Sequence, residues 1–177
     1  MNHSNRALTM VELLISISIV SLLATVGIFN LQEAQTRSKV SKVESDMRVM
    51  QHALEQYRAD QGAYPPAALG DLMLMNPLSP LLSPVPYLGA IPTEPFGPAS
   101  LDLAPSVYRN GYLYLDEATT SRGLPGETYG NLWDARKGSH YMLQSPGPNR
   151  VWDVLPFVPY DPTNGTVSSG DIARFGA

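Results

Sequence analysis

Apolar and polar positions divide the chain into three regimes. Residues 13–31, LLISISIVSLLATVGIFNL, run through 19 positions without a charge. As a helix rising about 1.5 Å per residue, that run covers roughly 28 Å, close to the hydrocarbon thickness of a bilayer. Twelve of the 19 are Leu, Ile, Val or Phe, and in sum they favour transfer into lipid by about 4 to 7 kcal/mol. A single acid near the end of the run, Glu12, does not outweigh that. Further along, Val40, Val43, Met47, Met50, Leu54 and Tyr57 recur at spacings of 3 and 4, the stripe of an amphipathic helix. Glu33 with Arg37, and Glu44 with Arg48, stand four apart with the acid first, the better order on a solvated helix. The stripe sustains fewer than three heptads, so it predicts packing on the chain's own domain before a coiled-coil seam. Gly62 can take the left-handed conformation that ends a helix, and Pro65 and Pro66 cannot continue one. One helix is therefore expected over 8–61, roughly 80 Å long, with Gly27 and Asn30 its weakest points.

The third regime is irregular. All 16 prolines and every glycine except Gly27 lie after Gln61, which favours turns over long elements. Residues 68–98 read as loop with one helical turn over 69–75. Strands are expected in SVYRNGYLYLDE, with a hairpin turn at Asn110 and Gly111, in SHYMLQS, and in VWDVLPFV with a break at Pro156. Three or four short antiparallel strands packed on the Val40 to Tyr57 stripe give an α+β fold.

Composition narrows the function. The chain has 177 residues, a formal charge of -4 and only 12 Lys plus Arg, too few cations for phosphate-backbone binding, so no nucleic-acid partner is expected. With no cysteine there is no disulfide, thiolate metal site or thiol nucleophile. The three histidines, His3, His52 and His140, have no metal-ligand spacing, and no base–nucleophile pair stands out, so no enzyme is expected.

Ahead of the apolar run stands MNHSNRA, with one cation, Arg6, and no anion, which places the short amino end in the cytoplasm and the remainder across the membrane. A cleaved secretory signal is the alternative, but no A-x-A-like site follows the run and the helical pattern continues through it.

RALTMVELL followed by a long apolar helix resembles the amino-terminal signal of type IV prepilins and type II secretion pseudopilins. Ala7 stands where that family usually has Gly, and Leu8 and Met10 replace the commoner Phe and Leu. The resemblance implies cleavage between Ala7 and Leu8 by a prepilin peptidase, methylation of the new Leu8 amine, and assembly through Thr9 and Glu12. It also implies that Glu12 pairs with the amine of an adjacent subunit. The physics agrees, because a carboxylate in low dielectric needs a cation or it protonates. MRVMQHALEQYRADQGAYP is similar to the helix-to-loop passage of major pseudopilins, and YLGAIPTEPFGPA to a proline-rich stretch of theirs, with Glu94 where Asp is usual.

The organisation this predicts is a leader over 1–7, a transmembrane and assembly half-helix over 8–31, an amphipathic half over 32–62, and a periplasmic α+β head over 63–177 with the pilin fold. Near the end, YDPTNGTVSSGDI places oxygen-bearing side chains among glycines, as calcium prefers. Asp161, Asn164 and Asp171 are the candidate ligands, and a calcium-binding carboxy-terminal loop is also what the resemblance implies. Two successive turns with side chains bonding their own backbone would use the same residues. The expected role is a structural subunit of a type II secretion pseudopilus, a homo-oligomeric helical filament. Its expected partners are membrane lipid, the prepilin peptidase, an inner-membrane platform and minor pseudopilins. A type IV pilus subunit, or a membrane-anchored binding domain that never polymerises, are the alternatives.

Overall fold

The computed structural model describes residues 9–67, 76–97, 111–118, 138–152, 158–163 and 168–177. It divides into two compact units, Met1–Arg37 and Ser38–Ala177. Helix α1, Met10–Gln61, supplies residues to both, and each unit is taken by itself.

In the first unit α1 carries the apolar run with its large side chains in the open, Leu14 being 50 % exposed and Leu22 70 %. Its hydroxyls are satisfied within the helix. Ser16, Ser18, Ser21 and Thr25 each donate to the carbonyl four residues earlier at 2.7 to 2.8 Å, so none presents an unmet polar group to an apolar surrounding.

In the second unit, residues 38–61 of α1 turn the predicted stripe into a core. Val43, Met47, Met50 and Leu54 are buried, and Val40 and Tyr57 are half-buried at its ends. Ala53 is buried beside them. The helix stops as its sequence requires: Gly62 takes φ 76° and its amide donates to Arg58 O at 2.8 Å. A 3₁₀ turn, Ser79–Leu81, contributes the buried Leu81.

Among the described residues, three strands join this helix: β1 Leu113–Asp116, β2 Tyr141–Ser145 and β3 Ile172–Gly176, antiparallel in the order β1-β2-β3. Tyr114 pairs with Leu143, and Leu143 in turn with Arg174. Every residue of β1 and β2 is buried, so both faces of these strands are covered and the polar–apolar alternation of a half-solvated sheet is absent. The small antiparallel sheet on a long helix is the expected α+β fold. Strands β1 and β2 fall where aromatic and branched residues predicted them. The sequence pattern does not predict β3. Asn110 of the predicted hairpin turn, the helical turn over 69–75 and residues 153–157 of the third predicted strand lie outside the described residues.

Two buried acids tie loops to adjacent residues of β2. Glu94, 4 % exposed, accepts from Ser145 Oγ at 2.8 Å and from the Phe96 amide at 2.9 Å. Asp171, 1 % exposed, accepts from the Gln144 side-chain amide. Behind Asp171 the backbone is tightly packed: Gly170, at φ 117°, would place a Cβ 2.6 Å from Pro159 O, so only glycine fits there.

Burial pushes the Glu94 carboxyl above its ordinary range, against the opposing pull of Ser145, the Phe96 and Gly97 amides and Lys39. A carboxyl raised in the fold favours the protonated form. Its contribution to stability is therefore greatest in acid, falls as pH rises past the unfolded value, and is fully lost above the folded one. Glu94→Gln is expected to flatten this slope. Urea midpoints between pH 4 and 8 measure it, and parallel pH profiles for the two chains contradict it.

Candidate functional site

The amino-terminal residues singled out by sequence meet at the start of α1. Thr9 is the residue before the helix, and Glu12 lies in its first turn. Glu12 Oε2 accepts from the Thr9 amide at 2.9 Å and from Thr9 Oγ1 at 2.8 Å, while the Glu12 amide donates to Thr9 Oγ1 at 3.2 Å. This reciprocal pair is a capping box, which occupies amides that a helix start otherwise leaves unmet. The carboxylate also sits at the end of the helix where negative charge is favoured. Both Thr9 bonds fall on Oε2 and, among the described residues, none falls on Oε1. Thr-x-x-Glu is itself a helix-start signature, which the expectation of an acid in need of a cation leaves out. Ala7 and Leu8 lie outside the described residues.

The apolar part of α1 follows this cap directly. Residues Met10–Gln61 include a stretch of mean hydropathy 2.3, none of it buried, long enough to cross a membrane.

The carboxy-terminal acids stand at the two feet of one loop. Tyr160 N donates to Asp171 O at 2.9 Å and Asp171 N to Val158 O at 2.8 Å, and Pro159 and Asp171 form a parallel bridge. Asp161 is exposed, its Oδ1 accepting from the Thr163 amide at 2.8 Å and from Thr163 Oγ1 at 2.7 Å. Those bonds hold its carboxyl below the ordinary range, the hydroxyl contributing most. The Asp161 amide donates to Ser168 Oγ at 3.3 Å. Among the described residues the donors at this loop are all oxygens, as calcium takes. Asn164 lies outside the described residues. No group of three or more Asp, Glu or His side chains stands together among the described residues. His52 is exposed on α1, and His140 Nδ1 lies 3.1 Å from Glu117 Oε2 at the surface.

Comparison with known proteins gives the family. A family model described as type II secretion system (T2SS), protein G, matches residues 30–123, and one described as the prokaryotic N-terminal methylation motif matches residues 2–28. The chain is similar to the type II secretion system core protein G of Escherichia coli (strain K12), 26 % identical over 171 residues, covering 97 % of this chain and 91 % of that one. It is also similar to the protein of the same name from Aeromonas hydrophila, 27 % identical over 126 residues, covering 67 % and 82 %. No solved structure matches.

Proposed function

Because the chain belongs to the type II secretion system protein G family, a family of structural pseudopilins, we propose that it is cut between Ala7 and Leu8, methylated on the Leu8 amine, and polymerised through α1 into a pseudopilus that drives protein export. The prepilin peptidase, the inner-membrane platform and the minor pseudopilins are the partners this reading requires, with energy supplied from the cytoplasm. Before assembly the subunit is anchored in the inner membrane, with its head in the periplasm. The observation that carries the reading is the capped start of an apolar helix that, among the described residues, nothing covers. Its large side chains are more than half exposed from Met10 through Val11 and Leu13, and again at Phe29 and Leu31. Lipid covers such a surface before assembly, and neighbouring helices cover it afterwards.

Glu12 has two tasks in this scheme. Oε2 holds the helix start through Thr9, and Oε1 receives the Leu8 ammonium of the next subunit. A charge-assisted pair of this kind is short and directional, so it fixes axial register where apolar contacts alone would let helices slide. Producing the full chain with its secretion machinery and shearing the cells tests polymerisation. Fibres containing the chain are expected, and their absence from cells in which the chain is processed and membrane-bound would leave only an anchored domain.

We also propose that the loop between Asp161 and Asp171 holds calcium, with Asn164 as a further donor. A ligand that binds only the folded head stabilises it by mass action. Millimolar calcium is thus expected to raise the melting midpoint of the full chain in detergent by roughly 5 °C or more over the chelated protein. Equal midpoints with calcium and with chelator would retire the site.

A further inference from the structure

Two features of the second unit lie on opposite flanks of α1 and complement one another. Between α1 and β3 runs a groove of about 530 Å³, with the buried Met47 and Ile172 at its apolar floor and the more exposed Arg48 and Arg174 on its rim. Glu44, 3.5 Å from Arg48, offsets one of these charges and leaves the rim positive. On the other flank, residues 83–86, Ser-Pro-Val-Pro, are exposed throughout. Val85, 46 % exposed, is among the few large apolar side chains left in solvent by the described residues of the second unit. Prolines on either side stiffen this tip. Two residues further on, Tyr87 donates through its hydroxyl to Asp60 Oδ2 at 2.8 Å, which ties a carboxylate of α1 to the segment that carries the tip.

The helix fixes how these features are related. At 3.6 residues per turn, Asp60 stands roughly 120 to 180° around α1 from Glu44, Arg48 and Gln51, and roughly 13 to 24 Å further along the axis. A groove and a tip on opposite flanks, offset along an axis, form a heterologous pair. Each copy offers the next a fresh tip, and repetition builds an open helical array.

We propose that the α1–β3 groove of one head receives the 83–86 tip of the neighbouring copy, with Val85 on the apolar floor and Asp60 facing Arg174. The proposal rests on the polymerisation reading above and assigns the head-to-head contact within it. The occupant is a second copy of this chain because its tip matches the groove in both respects: an apolar end for an apolar floor, and an acid for a basic rim.

The chain has no cysteine, so introduced thiols report this contact alone. Full-length chain carrying both Val85→Cys and Gln51→Cys is assembled in cells with the secretion machinery, sheared off and oxidised. A ladder of covalent multimers is expected on a denaturing gel, where each single variant gives dimers at most. Asp60→Arg is expected to lower fibre yield roughly tenfold, and adding Arg174→Glu to restore it. If charge-altered chains fail to accumulate, the thiol pair decides, since it leaves the charges in place. Normal fibres with no ladder, from Val85→Cys paired with either Gln51→Cys or Ala173→Cys, would overturn the contact and leave polymerisation standing. Failure of the unaltered chain to form fibres would overturn both.

Discussion

Glu12→Ala is expected to abolish fibre formation while the chain still reaches the membrane at its normal level. Removing the carboxylate takes away the acceptor of both Thr9 bonds, so the first turn of α1 loosens. Insertion does not suffer, because an apolar side chain enters lipid more readily than an acid. With the proposed pairing, assembly suffers because the ammonium of the adjoining subunit is left in low dielectric without its partner, and a charge stranded in that way weakens a contact far more than a neutral pair removed together. The loss recurs at every subunit, so the concentration needed for growth should rise on the order of a hundredfold or more. Glu12→Gln separates the two tasks: its amide oxygen still accepts from Thr9, but it has no charge for the amine. Quantifying the sheared fibres of the three chains provides the check. Glu12→Gln fibres at wild-type yield would assign Glu12 to the helix cap alone.

The second large effect is expected in the core. Leu54 is fully buried on α1 in the same cluster as Tyr114, Tyr141 and Leu143. Leu54→Ala leaves a cavity that this packing closes only in part, which costs about 2 to 5 kcal/mol. Val49 lies on the same helix at 50 % exposure, and Val49→Ala should change stability by no more than about 0.5 kcal/mol. Urea unfolding of the two variants in detergent measures the contrast. A Leu54→Ala cost below about 1 kcal/mol would mean that the stripe does not carry the head.

How far the fold is legible in the sequence depends on how far apart the deciding residues lie. The helix is a local matter. The spacing of Val43, Met47, Met50 and Leu54 predicts which face is buried, Gly62 predicts where it ends, and both signals act within a few residues. Ala53 escaped the pattern because a small side chain is buried by close approach of its neighbours, which apolar spacing does not register. β3 escaped for a different reason: Ile-Ala-Arg-Phe-Gly has weak strand character of its own, and it becomes a strand because β2 offers an edge. Its register sets Gly176 opposite Tyr141, where any Cβ would collide with the tyrosine ring.

The acids divide along the same line. Thr9 and Glu12 are three residues apart, so their capping box could have been found from spacing alone. Glu94 stands in a proline-rich loop with nothing nearby to mark it as buried, since Ser145, the hydroxyl it accepts from, is 51 residues away. Asp171 and Gln144 are 27 residues apart, and the same holds for them. A reading of the carboxy-terminal loop by composition alone gathers Asp161 and Asp171 as equals. In the fold, one is exposed on its own turn and the other is locked to the central strand.

The chain is expected to become able to polymerise only when a new amine is created at Leu8. The intact mass of the chain recovered from sheared fibres tests it most directly. It should correspond to residues 8–177 with a single added methyl group, whereas fibres built from chains that still begin at Met1 would contradict it.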